Sequence, residues 1–322
     1  MGKMPRPFLP ALFSSRLVNG MFGLVALGWA LGAWVGERTL PTLLLAYLPP
    51  LLWLLPAGLA LLWSVGRRRG RGLALLTLGL AAWGAGLLHW RPQADGELRV
   101  LTYNVARGSQ GTAAALLSTL QASDADLILL QETNLLDPAK GLALRSGLSG
   151  YALTQGREVW TLSRWPVLRQ TQHAVPGSTR TFAETWVKGP DGRTLRVVNA
   201  HLGTVLITSA LRGDTAKVRR TAQARREQVA LLCRIAAHEP GPVLLGGDLN
   251  TPPRGRLYRR LTGCFGPDAH DRAGQGPGWT FPGLLLRIDH LLVRDLRPTR
   301  ARVLSMAGSD HRPLLVEYRW GR

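Results

Sequence analysis

The chain has 322 residues, with 40 lysines and arginines against 20 aspartates and glutamates. It is too long for one small module and suits one large domain plus an added part. The formal charge of +20 fits polyanionic partners such as nucleic acid, anionic lipid or phosphate esters, although an arginine-favouring composition gives the same balance. The two cysteines, Cys233 and Cys264, stand outside any CxxC or Cys/His cluster. Zinc, iron–sulfur and disulfide-framework classes are therefore unsupported, and whether the two cysteines pair stays open.

The composition divides near residue 96. Residues 1–96 hold only two acids, Glu37 and Asp95, and six of the eleven tryptophans. Leu17 to Gly36 is an uncharged run of twenty residues, enough at about 1.5 Å per residue to cross a hydrocarbon core of roughly 30 Å. Thr39 to Gly66 and Leu73 to Trp90 are two further uncharged runs, so the reading is a membrane domain over 1–92 with three spans (17–36, 39–66, 73–90) and a polar linker at 93–97. A cleaved signal peptide behind Lys3, Arg6 and Arg16 is the alternative for the first run, but the two following runs favour an uncleaved domain. Pro49-Pro50 also allows the second run to fold as a hairpin. With three spans, Lys3, Arg6, Arg16 and the Arg67-Arg68-Arg69-Gly70-Arg71 cluster share one side, leaving Arg38 and Arg91 on the other. The positive-inside rule then places the chain in the inner (plasma) membrane as a multi-pass protein, with everything after residue 91 on the non-cytoplasmic side. Its expected partner there is the bilayer; no obligate protein partner is inferred.

From residue 98 to 322 strands and helices alternate. Leu98 to Asn104 reads as a strand, Thr112 to Ala122 as a helix, and Leu127 to Glu132 as a buried strand ending in a carboxylate. Further strands are expected at Val159–Ser163, Phe182–Val187, Thr194–Ala200, Val243–Gly246, Arg287–Val293 and Leu314–Arg319. The clearest helix is Gln223 to His238, preceded by a basic stretch from Arg212 to Arg226 that reads more readily as a solvated face than as a phosphate grip. Many strands with few helices suggest a layered sandwich.

Several of these strands end in acid, amide or imidazole groups: Asn104, Glu132, His201, Asp248 with Asn250, Asp289 with His290, and Asp310 with His311. Singly, each is more often a turn former or a satisfied polar residue. In this order they resemble the endonuclease/exonuclease/phosphatase superfamily, which includes deoxyribonuclease I, exonuclease III, neutral sphingomyelinases and inositol polyphosphate 5-phosphatases. The motifs carrying the resemblance are Thr102-Tyr103-Asn104-Val105, Leu130-Gln131-Glu132, Leu162-Ser163-Arg164-Trp165-Pro166, Asn199-Ala200-His201-Leu202, Gly247-Asp248-Leu249-Asn250, Arg287-Ile288-Asp289-His290 and Gly308-Ser309-Asp310-His311-Arg312-Pro313. The resemblance implies an α+β fold, a four-layer α/β/β/α sandwich with its site at one edge, preceded here by about three transmembrane helices.

A phosphodiester resists attack because its oxygens are already negative, so a divalent cation must neutralise charge and polarise the bond. Hard Mg²⁺, or Mn²⁺, takes oxygen ligands. The resemblance implies Glu132 as principal metal ligand, assisted by Asn104 and Asp310, with Asp248 and Asn250 positioning water and a phosphate oxygen. It further implies that His201 stabilises the transition state, Asp289 orients a catalytic partner, and Asp310 with His311 forms the acid/base pair. Arg164 and Trp279 are candidate substrate contacts, and His270 lies in a loop that could face substrate. The expected activity is metal-dependent hydrolysis of a phosphate ester, nucleic acid or phospholipid. A lipid head-group phosphodiesterase is the alternative within the enzyme class, and a non-catalytic membrane-anchored binding protein the alternative outside it.

Overall fold

A computed structural model describes residues 15–205, 209 and 212–321. Lys3 and Arg6 of the charge argument, and Leu206 and Ile207, lie outside the described residues. The first helix, α1 (Arg16–Ala30), starts at a Ser15 side-chain cap and continues through a π-turn, Leu31–Val35, and a 3₁₀ turn, Gly36–Arg38. A short α2 (Leu40–Ala46) follows, then a 3₁₀ turn at Pro50–Trp53 leading into α3 (Leu54–Arg67), and finally α4 (Arg71–Gly84). Among the described residues two stretches, Arg16–Arg38 and Pro50–Arg67, are long and apolar enough to cross a membrane. Only 28 % of each apolar window is buried inside the protein, and leucines such as Leu27, Leu55 and Leu62 stand outward.

Of the three expected spans, two are met among the described residues by helices long and apolar enough to cross. The run 39–66 is not one helix: it breaks before Pro50, because a proline lacks the N–H the helix needs and restricts the residue ahead of it. The part long enough to span begins at Pro50. The run 73–90 forms a helix of only 14 residues, Arg71–Gly84, about 21 Å at the helical rise, which packs against α1 and α3 and returns the chain to the end of the bundle where α1 finishes. Its carboxyl end lies close against α1: a Cβ on Gly84 would lie 2.2 Å from the Trp29 ring. α1, α3 and α4 pack on one another around Val25, Trp29, Trp53, Ala57 and Ala81. Arg16 and the Arg67–Arg71 cluster therefore stand at one end of the bundle, and Arg38 and Trp90 at the other.

The remainder is a two-sheet sandwich. One sheet combines β1 (Leu98–Asn104), β2 (Leu127–Gln131), β3 (Ala152–Gln155), β4 (Val159–Ser163), β10 (Leu296–Val303) and β11 (Leu314–Trp320) in the order β10-β11-β1-β2-β4-β3. The other takes β5 (Val167–Ala174), β6 (Thr181–Lys188), β7 (Thr194–Asn199), β8 (Val243–Asp248) and β9 (Asp289–Arg294) in sequence order. Strand alternation sorts the cores. Leu98, Val100, Leu127, Leu129, Val197, Leu244, Leu291 and Val293 meet between the sheets. Leu101, Tyr103, Ile128 and Leu130 face α5 (Ala113–Ala122) and α6 (Pro138–Gly147) on one outer side. Val198, Val243 and Leu245 face α7 (Thr215–His238) and α8 (Gly255–Phe265) on the other, with a short α9 (Ala269–Ala273) beside β10. This is the expected four-layer α/β/β/α arrangement.

β5 and β10, absent from the sequence expectation, are edge strands with polar sequences, and β10 carries Pro298 at a register shift. Such strands lack the apolar alternation that marks buried ones. α7 begins two turns earlier than expected, so the basic residues Lys217, Arg219, Arg220 and Arg226 lie on its surface. The exception is Arg225, which is buried and donates to the Gly203 carbonyl at 2.5 Å and to Thr251 Oγ1 at 2.7 Å.

Cys233 of α7 and Cys264 of α8 form a disulfide with a sequence separation of 31. Closing a loop of this size stabilises by about 3.7 kcal/mol in the chain-entropy account. Reduction of the full chain should therefore lower its melting temperature by roughly 7–15 °C, with Cys233→Ser reproducing the loss. A melting point indifferent to reductant would remove the bridge from the stability of this domain.

Candidate active site

The strand parity that builds the core also aims the polar residues. Asn104 shares the inner face of β1 with Val100, Asp248 that of β8 with Leu244, and Asp289 that of β9 with Leu291. β1 and β2 run parallel, as do β7 and β8, while Asp289 pairs in register with Asp248. The carboxyl ends of β1, β2, β7 and β8 and the start of β9 thus deliver their terminal residues to one edge of the sandwich. Beneath them Gln131 donates to Asn199 Oδ1 at 2.9 Å, a buried amide pair that joins the sheets.

Asp248 is the hub. Its Oδ2 accepts from Asn104 Nδ2 at 3.0 Å and Asn250 Nδ2 at 3.2 Å, and its Oδ1 from the Asn250 amide at 2.9 Å. His201 Nε2 lies 3.5 Å and His311 Nε2 3.8 Å from the same Oδ2. The carboxylate reaches this point because β8 ends in Gly246-Gly247: Gly247 has φ +142°, and a Cβ there would meet the Ala200 carbonyl oxygen at 1.8 Å. Glu132 and Asn250 both adopt the left-handed region, at φ 59° and 45°. Such backbone in non-glycine residues costs free energy and concentrates at functional sites. Glu132 Oε1 sits 3.3 Å from Asn104 Nδ2 and 3.8 Å from His201 Nε2.

His311 is fixed by Asp289, whose Oδ2 lies 2.8 Å from Nδ1, and Asp289 is itself held by a Thr280 Oγ1 that accepts its amide at 3.1 Å. Burial alone would lower the His311 pKa, but the carboxylates of Asp289 and Asp248 outweigh it and push it up to about 10. The imidazole is therefore protonated through the neutral range. The expectation that Asp310 orients His311 is corrected here: adjacent residues point apart, and Asp310 is exposed at the rim. The role of Asn104 also shifts, because its Oδ1 accepts from the Ala106 amide at 2.9 Å. It offers Nδ2, a donor, to the two carboxylates, and so spaces them rather than adding an oxygen.

Two substrate contacts expected from sequence do not reach this edge. β4 runs antiparallel to β2 with Ser163 opposite Leu127, so Arg164 emerges at the far end of the sheet, where it pairs with Asp124 at 2.7 Å. Trp279 lines a different cavity, described below, and His270 is buried there with its ring stacked on His89. His290 points away from Asp289, as alternation requires, and is buried between Asp268 Oδ2 at 2.6 Å and the Thr251 carbonyl at 2.8 Å.

Sequence reasoning missed Glu158, Arg157 and Arg180. Glu158 Oε1 backs His201 Nδ1 at 3.3 Å and pairs with Arg180 at 3.2 Å. With Glu132, Asn134 and Thr179 these residues line a cleft of about 430 Å³ beside the carboxylates. They belong to loops that meet only in the folded chain, so no local pattern marks them.

A four-layer sandwich with acids, amides and imidazoles gathered at one strand edge defines a deoxyribonuclease I-like fold. The chain belongs to the Endonuclease/Exonuclease/phosphatase family, whose profile matches residues 101–311. It is 27 % identical over 300 residues to a UPF0294 protein of Vibrio cholerae serotype O1, covering 83 % of this chain and 97 % of that one. Among solved structures it resembles humanized D. rerio TDP2 with 14 mutations (TM-score 0.56, 19 % identity, 69 % of this chain and 98 % of that chain). A mannosyl-6-phosphatase of Bacteroides thetaiotaomicron is similarly close in fold (TM-score 0.54, 17 % identity, 69 % and 99 %). Enzymes of this family are typically divalent-metal dependent, and here Asp248, Asp289 and His311 bring ligand atoms within 4.8 Å of one another.

Proposed function

We propose that the chain is a membrane-tethered, Mg²⁺- or Mn²⁺-dependent phosphodiesterase of the nuclease type, acting on the non-cytoplasmic side of the inner membrane. The observation that carries the hydrolase reading is the convergence on Asp248: one carboxylate within reach of two amides and two imidazoles, one of them held protonated by a second carboxylate. A binding protein without turnover has no use for that arrangement. The donor set also suits a hard cation. Glu132 and Asp248 offer oxygens on either side of the Asn104 amide, and among the described residues the buried Asp289 Oδ1 has no hydrogen-bond partner. When bound through Glu132 and Asp248, the cation supplies charge neutralisation at the phosphoryl oxygens.

The residues of the chain do the rest. Arg157 and Arg180 line the approach and attract the anionic substrate. Asn250 and Asp248 align the attacking water, and the Asp248 carboxylate takes up its proton. His201, buried and backed by Glu158, donates to a phosphoryl oxygen. His311, oriented by Asp289, stabilises developing charge and hands a proton to the leaving oxygen. Support for the sidedness comes from the arginine cluster at the distal end of the bundle and from the disulfide in the catalytic domain, which suits an oxidising compartment.

A lipid head-group substrate is favoured by one contact: Tyr47, at the end of α2 between the two span-length stretches, donates to the Asn250 carbonyl at 2.6 Å. This brings the catalytic edge against the apolar part of the chain. The deciding experiment assays the full chain in detergent on DNA, RNA, sphingomyelin, glycerophospholipid and inositol phosphate, with Mg²⁺ and with chelator. Metal-dependent release from nucleic acid, falling steeply as salt rises, is expected; release from a lipid alone selects the second reading, and no release from any substrate refutes both.

A further inference from the structure

A second cavity, of about 820 Å³, lies where the catalytic-side ends of α1 and α4 meet the catalytic domain. None of the residues gathered around Asp248 lines it. Its bundle wall is aromatic and apolar, with Trp29, Trp34 and Trp83, and Trp34, Trp83 and the neighbouring Trp90 are each at least two-thirds exposed. Its opposite wall is cationic, contributed by Arg254, Arg259 and Arg287. Among the described residues Asp271 is the only acid in the lining, and it is already paired with Arg287 at 2.5 Å.

Arg254 is the decisive group. Its guanidinium lies 3.8 Å from the centre of the Trp29 ring, and among the described residues its side chain has no carboxylate or carbonyl partner. Desolvation by burial pulls its pKa down to about 9. A fully buried arginine is ordinarily paired with an acid; this half-buried one rests on an aromatic face, and among the described residues its remaining donors are free. Tryptophans at the ends of apolar helices mark the head-group level of a bilayer, and basic pockets beside such helices are suited to anionic head groups.

We propose that this cavity binds an anionic phospholipid, its phosphate on Arg254 and its acyl chains along the tryptophan-lined faces of α1 and α4. The lipid mortars the catalytic domain to the bundle and adds to the direct contacts there. These are the Glu37 carboxylate accepting from the Arg256 amide at 2.9 Å, Arg259 donating to the Ala33 carbonyl, and His89 Nε2 at 2.9 Å from the His270 carbonyl. The inference rests on the membrane reading of the helices and is independent of the hydrolase reading.

The test uses the full chain extracted into detergent and stripped of lipid, after confirming that alkaline carbonate leaves it in the membrane fraction. Brominated phosphatidylglycerol, brominated phosphatidylcholine and inorganic phosphate are titrated in turn, with quenching of tryptophan fluorescence as the readout for the lipids and competition as the readout for phosphate. Saturable quenching by phosphatidylglycerol is expected, about tenfold tighter than by phosphatidylcholine. Arg254→Gln should abolish the preference and Arg254→Lys retain most of it. Equal quenching by the two lipids, an unchanged preference in a folded Arg254→Gln, or full competition by millimolar phosphate would each overturn the proposal. If Arg254→Gln fails to fold, the wild-type comparison of the two lipids decides alone. Release by carbonate would instead refute the membrane reading on which the inference stands.

Discussion

His311→Ala lowers turnover on the cleaved substrate by about a thousandfold, within the range assigned to a positioned acid or base. Its affinity for Mg²⁺ or Mn²⁺ stays within a few-fold of wild type. The two halves of this expectation separate two uses of the imidazole. Asp289 holds Nδ1 at 2.8 Å, and the ring carries a proton at neutral pH because the surrounding carboxylates outweigh its burial. A protonated imidazole cannot donate a lone pair to a cation. Kinetics and calorimetry on the same preparation decide the matter. A loss of metal affinity matching the loss of turnover would make His311 a ligand and dismiss the proton-transfer role. Asp289→Asn should behave similarly but more mildly, since it keeps an oxygen near Nδ1 while removing the charge that holds the imidazole protonated.

Glu132→Gln has the opposite signature. Changing groups that merely support a metal ligand costs about 10–100-fold in affinity, and removing a direct ligand should cost at least as much, with activity lost in proportion at sub-saturating metal. A cation at a hundred times its dissociation constant stabilises the fold by about 2.7 kcal/mol. For a domain of this size that corresponds to a rise of roughly 5–10 °C in melting temperature. Wild type should show the rise and Glu132→Gln should not. Without metal the order reverses, because Glu132 and Asp248 are held on either side of one amide, Asn104 Nδ2, at 3.3 and 3.0 Å. Neutralising one of them relieves like-charge repulsion, so the metal-free variant should melt at or above wild type. Calorimetric scans with and without chelator measure both effects. A variant that still gains the full rise on adding metal would show that the cation is held elsewhere.

The contact between Glu37 and Arg256 and that between Tyr47 and Asn250 make the apolar amino-terminal part more than a passive anchor. α2 packs Leu43, Ala46 and Tyr47 against Val205, Val218, Leu286 and Ile288 of the catalytic domain. The backbone that presents Asn250 is therefore braced from the membrane-proximal side. Removing residues before 93 exposes this apolar surface as well as releasing the tether, which is why the full chain is the sound object for every measurement above.

The sequence by itself determined the strands that carry the site. Leu98–Asn104 and Val159–Ser163 have the expected limits, because buried strands need alternating or continuous apolar residues and this chain supplies them. It also determined which residues end those strands, and hence the family. Three things were decided only by tertiary structure. Strand direction sends Arg164 to the far edge while Asp248 and Asp289 meet, since parity and register act across chains of residues that are distant in sequence. Asp289, not the adjacent Asp310, became the partner of His311, because the bend before β11 turns His311 inward onto the start of β9 and leaves Asp310 in solvent. Glu158, Arg157 and Arg180 came to the cleft from loops whose local composition says nothing of their destination. A pattern of period two is written in consecutive residues and can be read there; a cavity wall is assembled from segments that share only a place in space.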